Sequence, residues 1–397
     1  MTAVQQRTKT RGRPTRATRP EPRAAARDGI RHLDAALNNL WKLGRNLIIG
    51  WSPRDVGIDL LVVPQYLLSD VSDIYPELLK GTHAMALDDL CRTANRFRLK
   101  PRALDLPFTP GDGVSMKAVA SVVRRYSVTK SEYRAAILFD IVGFSLYSPI
   151  EQVTLLNSLA YSINVAHSRA LASGLRIDLG RTTTGDGFYV WNRDDGIGAD
   201  INLFHMMMLI MADNALARLK GNPNTAPVLR TCFHNASHYE YYQAEGLSPA
   251  TNGYIVGDLT IELARMIDKT LPGQILIGSF ARPIEETAES ATLRATAPTP
   301  VFMSRAQDQL DRLKVVNLSG ERITAIKVYL TGERVSRGVF NVKKYSILDK
   351  HGLRRDVFNA KVNIYRGDAS PLYLGLENKD LERFDAIEGL YRPDASP

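Results

Sequence analysis

Cysteine is nearly absent: Cys91 and Cys232 are the only two in 397 residues. Two thiols that far apart cannot build a disulfide framework or a zinc site, so the sequence reads as that of an intracellular, cytoplasmic protein. Long apolar runs are also missing. A bilayer-spanning helix needs about 20 apolar residues, and the longest candidate, around Leu203 to Ala212, is interrupted by His205. That run is expected to be a core helix, and no membrane span is expected. The basic amino terminus has no apolar stretch of the kind a secretory signal carries. Aromatic side chains are missing between Arg7 and Arg31, where most of the net charge of +9 resides. Cations such as Arg7, Lys9, Arg13, Arg19 and Arg27 are opposed there only by Glu21 and Asp28. With Pro14, Pro20 and Pro22 and almost no large apolar residue, 1–27 is expected to be a disordered basic tail. Such a tail can touch nucleic acid or an anionic surface nonspecifically. Without rings to stack on bases, a solvated tail that aids solubility explains it at least as well.

The remainder is rich enough in apolar residues for a sizeable core, and its length exceeds one ordinary domain. From Asp28 the pattern becomes helical. Ile30, Leu33, Leu37, Leu40, Trp41 and Leu47 recur at spacings that make one apolar stripe, and Gly50 with Trp51-Ser52-Pro53 is the expected stop. Residues 28–100 are therefore read as a helical region. A stretch rich in Pro, Gly and Ser opens a linker over 101–130.

Two segments beyond that linker carry chemistry. Ala136-Ile137-Leu138-Phe139 reads as a buried strand ending in Asp140, followed by Ile141-Val142-Gly143-Phe144-Ser145. Gly143 lets the backbone turn, so that amides can approach a phosphate. Gly185-Asp186-Gly187 reads as a hairpin turn with Asp186 at its tip. In isolation Asp186 would be a structural turn residue. Paired carboxylates at two strand ends are, however, what a divalent cation shared with nucleotide phosphates requires.

The ordered series of motifs resembles the class III nucleotide cyclases, the adenylate and guanylate cyclase homology domain. The resemblance rests on Asp140 to Ser145, Leu155-Leu156-Asn157, Gly185-Asp186, Leu229-Arg230-Thr231-Cys232-Phe233-His234, Gly257-Asp258, Ala264-Arg265-Met266 and Pro272-Gly273-Gln274-Ile275. It covers about residues 130 to 330. It implies an α+β fold with a ferredoxin-like domain over 131–331, after the helical region and before a β-rich extension over 332–397. It also implies a homodimer with composite sites that takes a nucleoside triphosphate. One protomer's Asp140, Ile141 and Asp186 would hold two divalent cations, Mn²⁺ or Mg²⁺. Its partner would supply Arg265 for the transition state, and Phe144, Ser145, Thr182 and Tyr254 are the implied substrate contacts. By position alone Arg265 would be a surface helical arginine; the surrounding motif favours the active role.

Departures from the family pattern bear on the base. Thr182 stands where adenylate cyclases usually have lysine and guanylate cyclases glutamate, and Tyr254 stands where they have Asp or Thr and Cys respectively. A hydroxyl and a phenol make a neutral pocket partly filled by a ring, which suits a smaller base. In this the chain is similar to the pyrimidine cyclases of the bacterial Pycsar anti-phage systems, so UTP or CTP is the expected substrate. Ile261 replaces the family's ribose-orienting asparagine, and Lys314 and Arg322 are both candidates for its triphosphate lysine. Three functions stay open: an active cyclase, making a cyclic pyrimidine or else cyclic AMP; a silent cyclase-like module; and a nucleic-acid binder acting through the tail. His234 and His238 share one side of a strand, but no third ligand accompanies them.

Overall fold

The computed structural model describes residues 22–222, 224–244, 251–284, 296–310, 316–336, 339–349, 352–381 and 392–393. The basic tail up to residue 21, and Lys314, lie outside the described residues. Two compact units divide the chain, the smaller comprising residues up to 78 with 82–127 and the larger 79–81 with 128–397.

In the smaller unit the amphipathic helix expected from Asp28 is α1, Pro22–Trp41, which begins inside the stretch expected to be disordered and buries Leu33, Leu37 and Trp41. It stops earlier than its apolar stripe because Lys42, Leu43 and Gly44 all take positive φ and reverse the chain. Leu47 and Trp51 then belong to a strand, β1 (Asn46–Pro53), which pairs antiparallel with β2 (Ile58–Pro64) and, through it, with β3 (Arg102–Leu104). Helices α2 (Leu68–Ile74) and α3 (Leu87–Arg96) complete residues 28–100. The region holds helices as expected, together with strands that its 3.6-residue apolar spacing had concealed. The expected linker over 101–130 is a correction. It contains β3 and a helix, α4 (Met116–Arg124), whose Ala118 amide is capped by the Ser115 hydroxyl. Its apolar Val119, Val122 and Val123 are buried, which a solvated linker could not offer.

The larger unit begins with β4 (Thr129–Ile141), α5 (Pro149–Ala172), β5 (Leu179–Thr183), β6 (Gly187–Asn192), α6 (Ile197–Lys220) and β7 (Leu229–Ala244). The strands lie in the order β5-β6-β4-β7 and every neighbouring pair is antiparallel. That is the ferredoxin-like βαββαβ arrangement, and the α+β fold expected from sequence is the fold observed. A hairpin strand β8 (Thr251–Val256) returns along β7 and leads into α7 (Asp258–Ile267) and β9 (Ile275–Gly278), which runs parallel to β7. After α8 (Thr299–Leu310) come β10 (Val316–Leu318), β11 (Glu321–Leu330), β12 (Lys344–Leu348) and β13 (Arg354–Arg366).

Strand alternation assigns the two sheet faces. Ala135, Ile137 and Phe139 face a core shared with α5, α6 and α8, and α6 supplies Leu203, Phe204 and Met206 to Ile210. Ala136 and Leu138 face the other side, packing with Leu259, Leu263 and Met266 of α7. The same alternation puts Asp140 on the α7 face. The segment 332–397 is not an appendage, contrary to the boundary expected at residue 331. Its strand β13 lies between β9 and β11, inside the sheet. Its apolar residues Val357, Ala360, Val362 and Ile364 are all buried, so the family-like segment cannot close its sheet without it.

Candidate active site

Asp140 ends β4, opposite Gly187 of β6 on one side and Arg230 of β7 on the other. Asp186 caps the β5-β6 hairpin. Its turn is set by Gly185 at φ 101° and by the Thr184 amide donating to the Gly187 carbonyl at 3.0 Å. The Thr184 hydroxyl donates to the Asp186 carboxylate at 3.1 Å, so the turn role is real as well. A backbone bond joins the two segments: the Ile141 amide donates to the Asp186 carbonyl at 3.0 Å. Beyond Ile141, Gly143 turns at φ 65° into the short Phe144–Leu146 helix. Pro149 in the first turn and Glu151, which accepts from the Ser148 amide at 2.9 Å, start α5.

Gly187 is what lets the carboxylates come together. A Cβ there would lie 1.9 Å from the Phe139 carbonyl oxygen, a backbone atom that cannot swing aside. Gly187→Ala should therefore pry β6 from β4, costing on the order of 3 kcal/mol of stability and loosening any metal binding at Asp140. Denaturant unfolding of the variant checks this; a wild-type midpoint would contradict it.

Asp140 is 6% exposed. Its carboxylate accepts from Arg230 Nε at 2.7 Å, and Arg230 Nη2 lies 2.6 Å from the same oxygen. Burial pushes the acid above the ordinary carboxylate range, Arg230 pulls the other way, and the negative charges of Asp186 and Asp268 push it up further. Two carboxylates held together against their repulsion make a place that a cation would relieve. Among the described residues no cluster of three His, Cys, Asp or Glu side chains could hold a metal ion. A cation whose remaining ligands are phosphate oxygens and water does not need one, so Asp140, Asp186 and the Ile141 carbonyl are a fitting donor set.

Arg230 was not singled out from sequence. The available signals were a charged residue inside an apolar strand and its place in the run Leu229 to His234 that carries the family resemblance, and the register that sets it opposite Asp140 depends on strand pairing.

The other candidates are distributed around this point. Phe144 packs partly buried on the α5 side of the core, while Ser145 is exposed. Thr182, on β5, and Tyr254, on β8, lie on strands that approach one another without pairing. The Tyr254 ring is half-buried and stacks on Tyr241, with centroids 5.7 Å apart and planes 28° apart. Arg265 lies on the flank of α7 that meets the β12-β13 hairpin, with its Nε 3.8 Å from Asp349. The charges acting on Asp140 are Arg230, Asp186 and Asp268. His234 and His238 are both buried, and burial lowers each to about 4, which marks them as neutral core imidazoles. Among the described residues no helix is long and apolar enough to cross a membrane.

No protein-family model matches the chain, and no curated protein matches it. Solved structures similar to it include the adenylyl cyclase CyaB from P. aeruginosa, at 10% identity and a TM-score of 0.33 over 61% of this chain and 97% of that one. The guanylyl cyclase Cya2 aligns at 15% identity and a TM-score of 0.31, over 58% and 92% respectively. The guanylate cyclase domain of RhGC from Catenaria anguillulae, in complex with GTP, aligns at 14% identity and a TM-score of 0.30, over 42% and 95%. At these identities and scores the likeness lends no residue a role.

Proposed function

We propose that the chain is a nucleoside triphosphate cyclase. The observation that carries this reading is the meeting of Asp140, at the end of β4, with Asp186 on the adjoining hairpin, beside Arg230. In the reaction the ribose 3′-oxygen forms a bond to the α-phosphorus, the bond from that phosphorus to the bridging oxygen breaks, and pyrophosphate leaves. The hydroxyl proton passes to solvent. Two divalent cations, Mn²⁺ or Mg²⁺, held by Asp140, Ile141 and Asp186 would acidify that hydroxyl and neutralise the leaving pyrophosphate. Arg230, whose Nε and Nη2 both reach Asp140 Oδ2, would hold that carboxylate in position. Arg265, from the second protomer of a homodimer, is assigned to charge on the transferring phosphorus, because a guanidinium can bridge two oxygens as a lysine cannot.

The base is proposed to be a pyrimidine. The Thr182 hydroxyl and the Tyr254 phenol offer neutral hydrogen-bonding groups, and the Tyr254 ring, fixed against Tyr241, takes up space that a purine would need. The product would then be a cyclic pyrimidine messenger, of use in anti-phage defence. A second reading, a silent nucleotide-binding module, is favoured by Ile261, whose apolar side chain is exposed on α7 where the family resemblance calls for a ribose-orienting amide.

Incubation of the purified protein with Mn²⁺ and each of ATP, GTP, UTP and CTP, with products identified by mass spectrometry and Asp186→Ala as blank, separates these readings. Cyclic UMP or cyclic CMP that disappears in the blank is the expected result. Cyclic AMP would make it an adenylate cyclase, and no product from any nucleotide would favour the silent module.

A further inference from the structure

The mixed-charge cluster between α7 and the β12-β13 hairpin gives Arg265 neighbours that the chemistry described so far does not use. Asp349 follows β12 and closes the hairpin: its Oδ1 accepts from the Leu353 amide at 2.9 Å, and its own amide donates to the Leu353 carbonyl at 3.0 Å. Turn closure occupies only one carboxylate oxygen. The other, Oδ2, lies 3.2 Å from Arg355 Nη2 and 3.8 Å from Arg265 Nε. Arg355 Nη1 in turn pairs with Glu262, one turn before Arg265 on the same flank of α7. The Asp349 side chain is 1% exposed, against 20% for Arg265. A carboxylate so buried is held by its surroundings, whereas the arginine beside it has a long side chain with much rotamer freedom to lose.

We propose that Asp349 is a positioning residue for Arg265, resting on the cyclase reading above. At 3.8 Å it pairs electrostatically with the Nε edge of the guanidinium and thereby biases the orientation of the fork before substrate arrives. Arg355 and Glu262 form a brace that keeps the Asp349 oxygen in place. The β12-β13 hairpin thus contributes to catalysis without touching substrate. An arginine oriented in advance loses less entropy when it meets developing charge, so the benefit falls on the transition state rather than on nucleotide binding.

The test is steady-state kinetics of the full-length protein with Mn²⁺ and whichever triphosphate the wild type cyclises. Asp349→Asn keeps an oxygen for the Leu353 amide and removes the charge. It should lower kcat about tenfold with KM unchanged, and in an Arg265→Ala background it should cost nothing further. Thermal melting checks that the variant is folded. Should it melt early, Asp349→Glu, which keeps the charge but displaces it by one methylene, should show the same kcat-selective loss. A residue that merely closes a turn would lower the melting temperature and leave kcat alone, and that result would overturn the inference. So would additive losses in the double variant. A wild-type chain that cyclises no nucleotide would overturn the cyclase reading first, and the inference with it.

Discussion

Asp140→Asn should abolish metal-dependent turnover while leaving the protein folded. Asparagine occupies the same volume, and its carbonyl oxygen can still accept from Arg230. It also relieves the burial penalty that pushes the acid upward. Arg230 is about one-third exposed and can solvate its charge if the pair weakens, so the stability cost should be small. Activity behaves differently. A neutral amide is a poor ligand for a hard dication, and losing one anionic ligand should remove on the order of 1000-fold in rate, about 4 kcal/mol of transition-state stabilisation. Turnover assays across a Mn²⁺ titration, with melting curves alongside, read both quantities. Undiminished activity with a wild-type metal requirement would remove Asp140 from the site.

A drop from pH 7 to pH 5 should destabilise the larger unit more steeply than its surface carboxylates can explain. His205, His234 and His238 are buried, and burial lowers each from 6.5 to about 4. Their folded values lie below their unfolded ones. Between these limits the unfolded chain binds more protons, so the stability they provide is complete above about pH 6.5 and is lost as pH falls. Each should cost about 2 kcal/mol by pH 5 on this account. Asp140 and Asp200, raised by burial, act with the opposite sign and soften the slope. Glu321 and Glu377 are held low by their cationic partners, and Asp356, against its burial, by the Ser346 hydroxyl and Lys344; all three give way only in stronger acid. Denaturant unfolding at intervals through this range measures the slope, and a flat profile from pH 7 to pH 5 would contradict the burial of these imidazoles.

The parts of this protein legible from its sequence are those written in local pattern. The apolar run Ala136 to Phe139 with its terminal Asp140 and the Gly185-Asp186-Gly187 turn lie where their sequence sets them, because each signal lies within a few residues of its consequence. Leu47 misleads because an apolar residue at helical spacing is equally at home in a buried strand; a reversal at Lys42 and Leu43, positions where positive φ is uncommon, decides between them. Strand neighbours were not legible at all. Arg230 becomes a partner of Asp140, and Asp349 a partner of Arg265, only through pairings between strands distant in the chain. The flanks of α7 show the same limit. Asp258, Glu262 and Arg265 read as one polar face, with nothing local to say that a later hairpin meets it.

The place of β13 also governs how the chain is made. It enters the sheet between β9 and β11, both of which leave the ribosome first. Until residues 354–366 emerge, β9 and β11 each present an unpaired edge, and unpaired edges invite association with other chains. Completing the sheet joins Ile275 to Ala360 and Leu330 to the same residue, contacts far apart along the polypeptide, so closure is late and slow. The nascent protein therefore passes through a stage in which the strands bearing Asp140 and Asp186 already exist while its sheet is open.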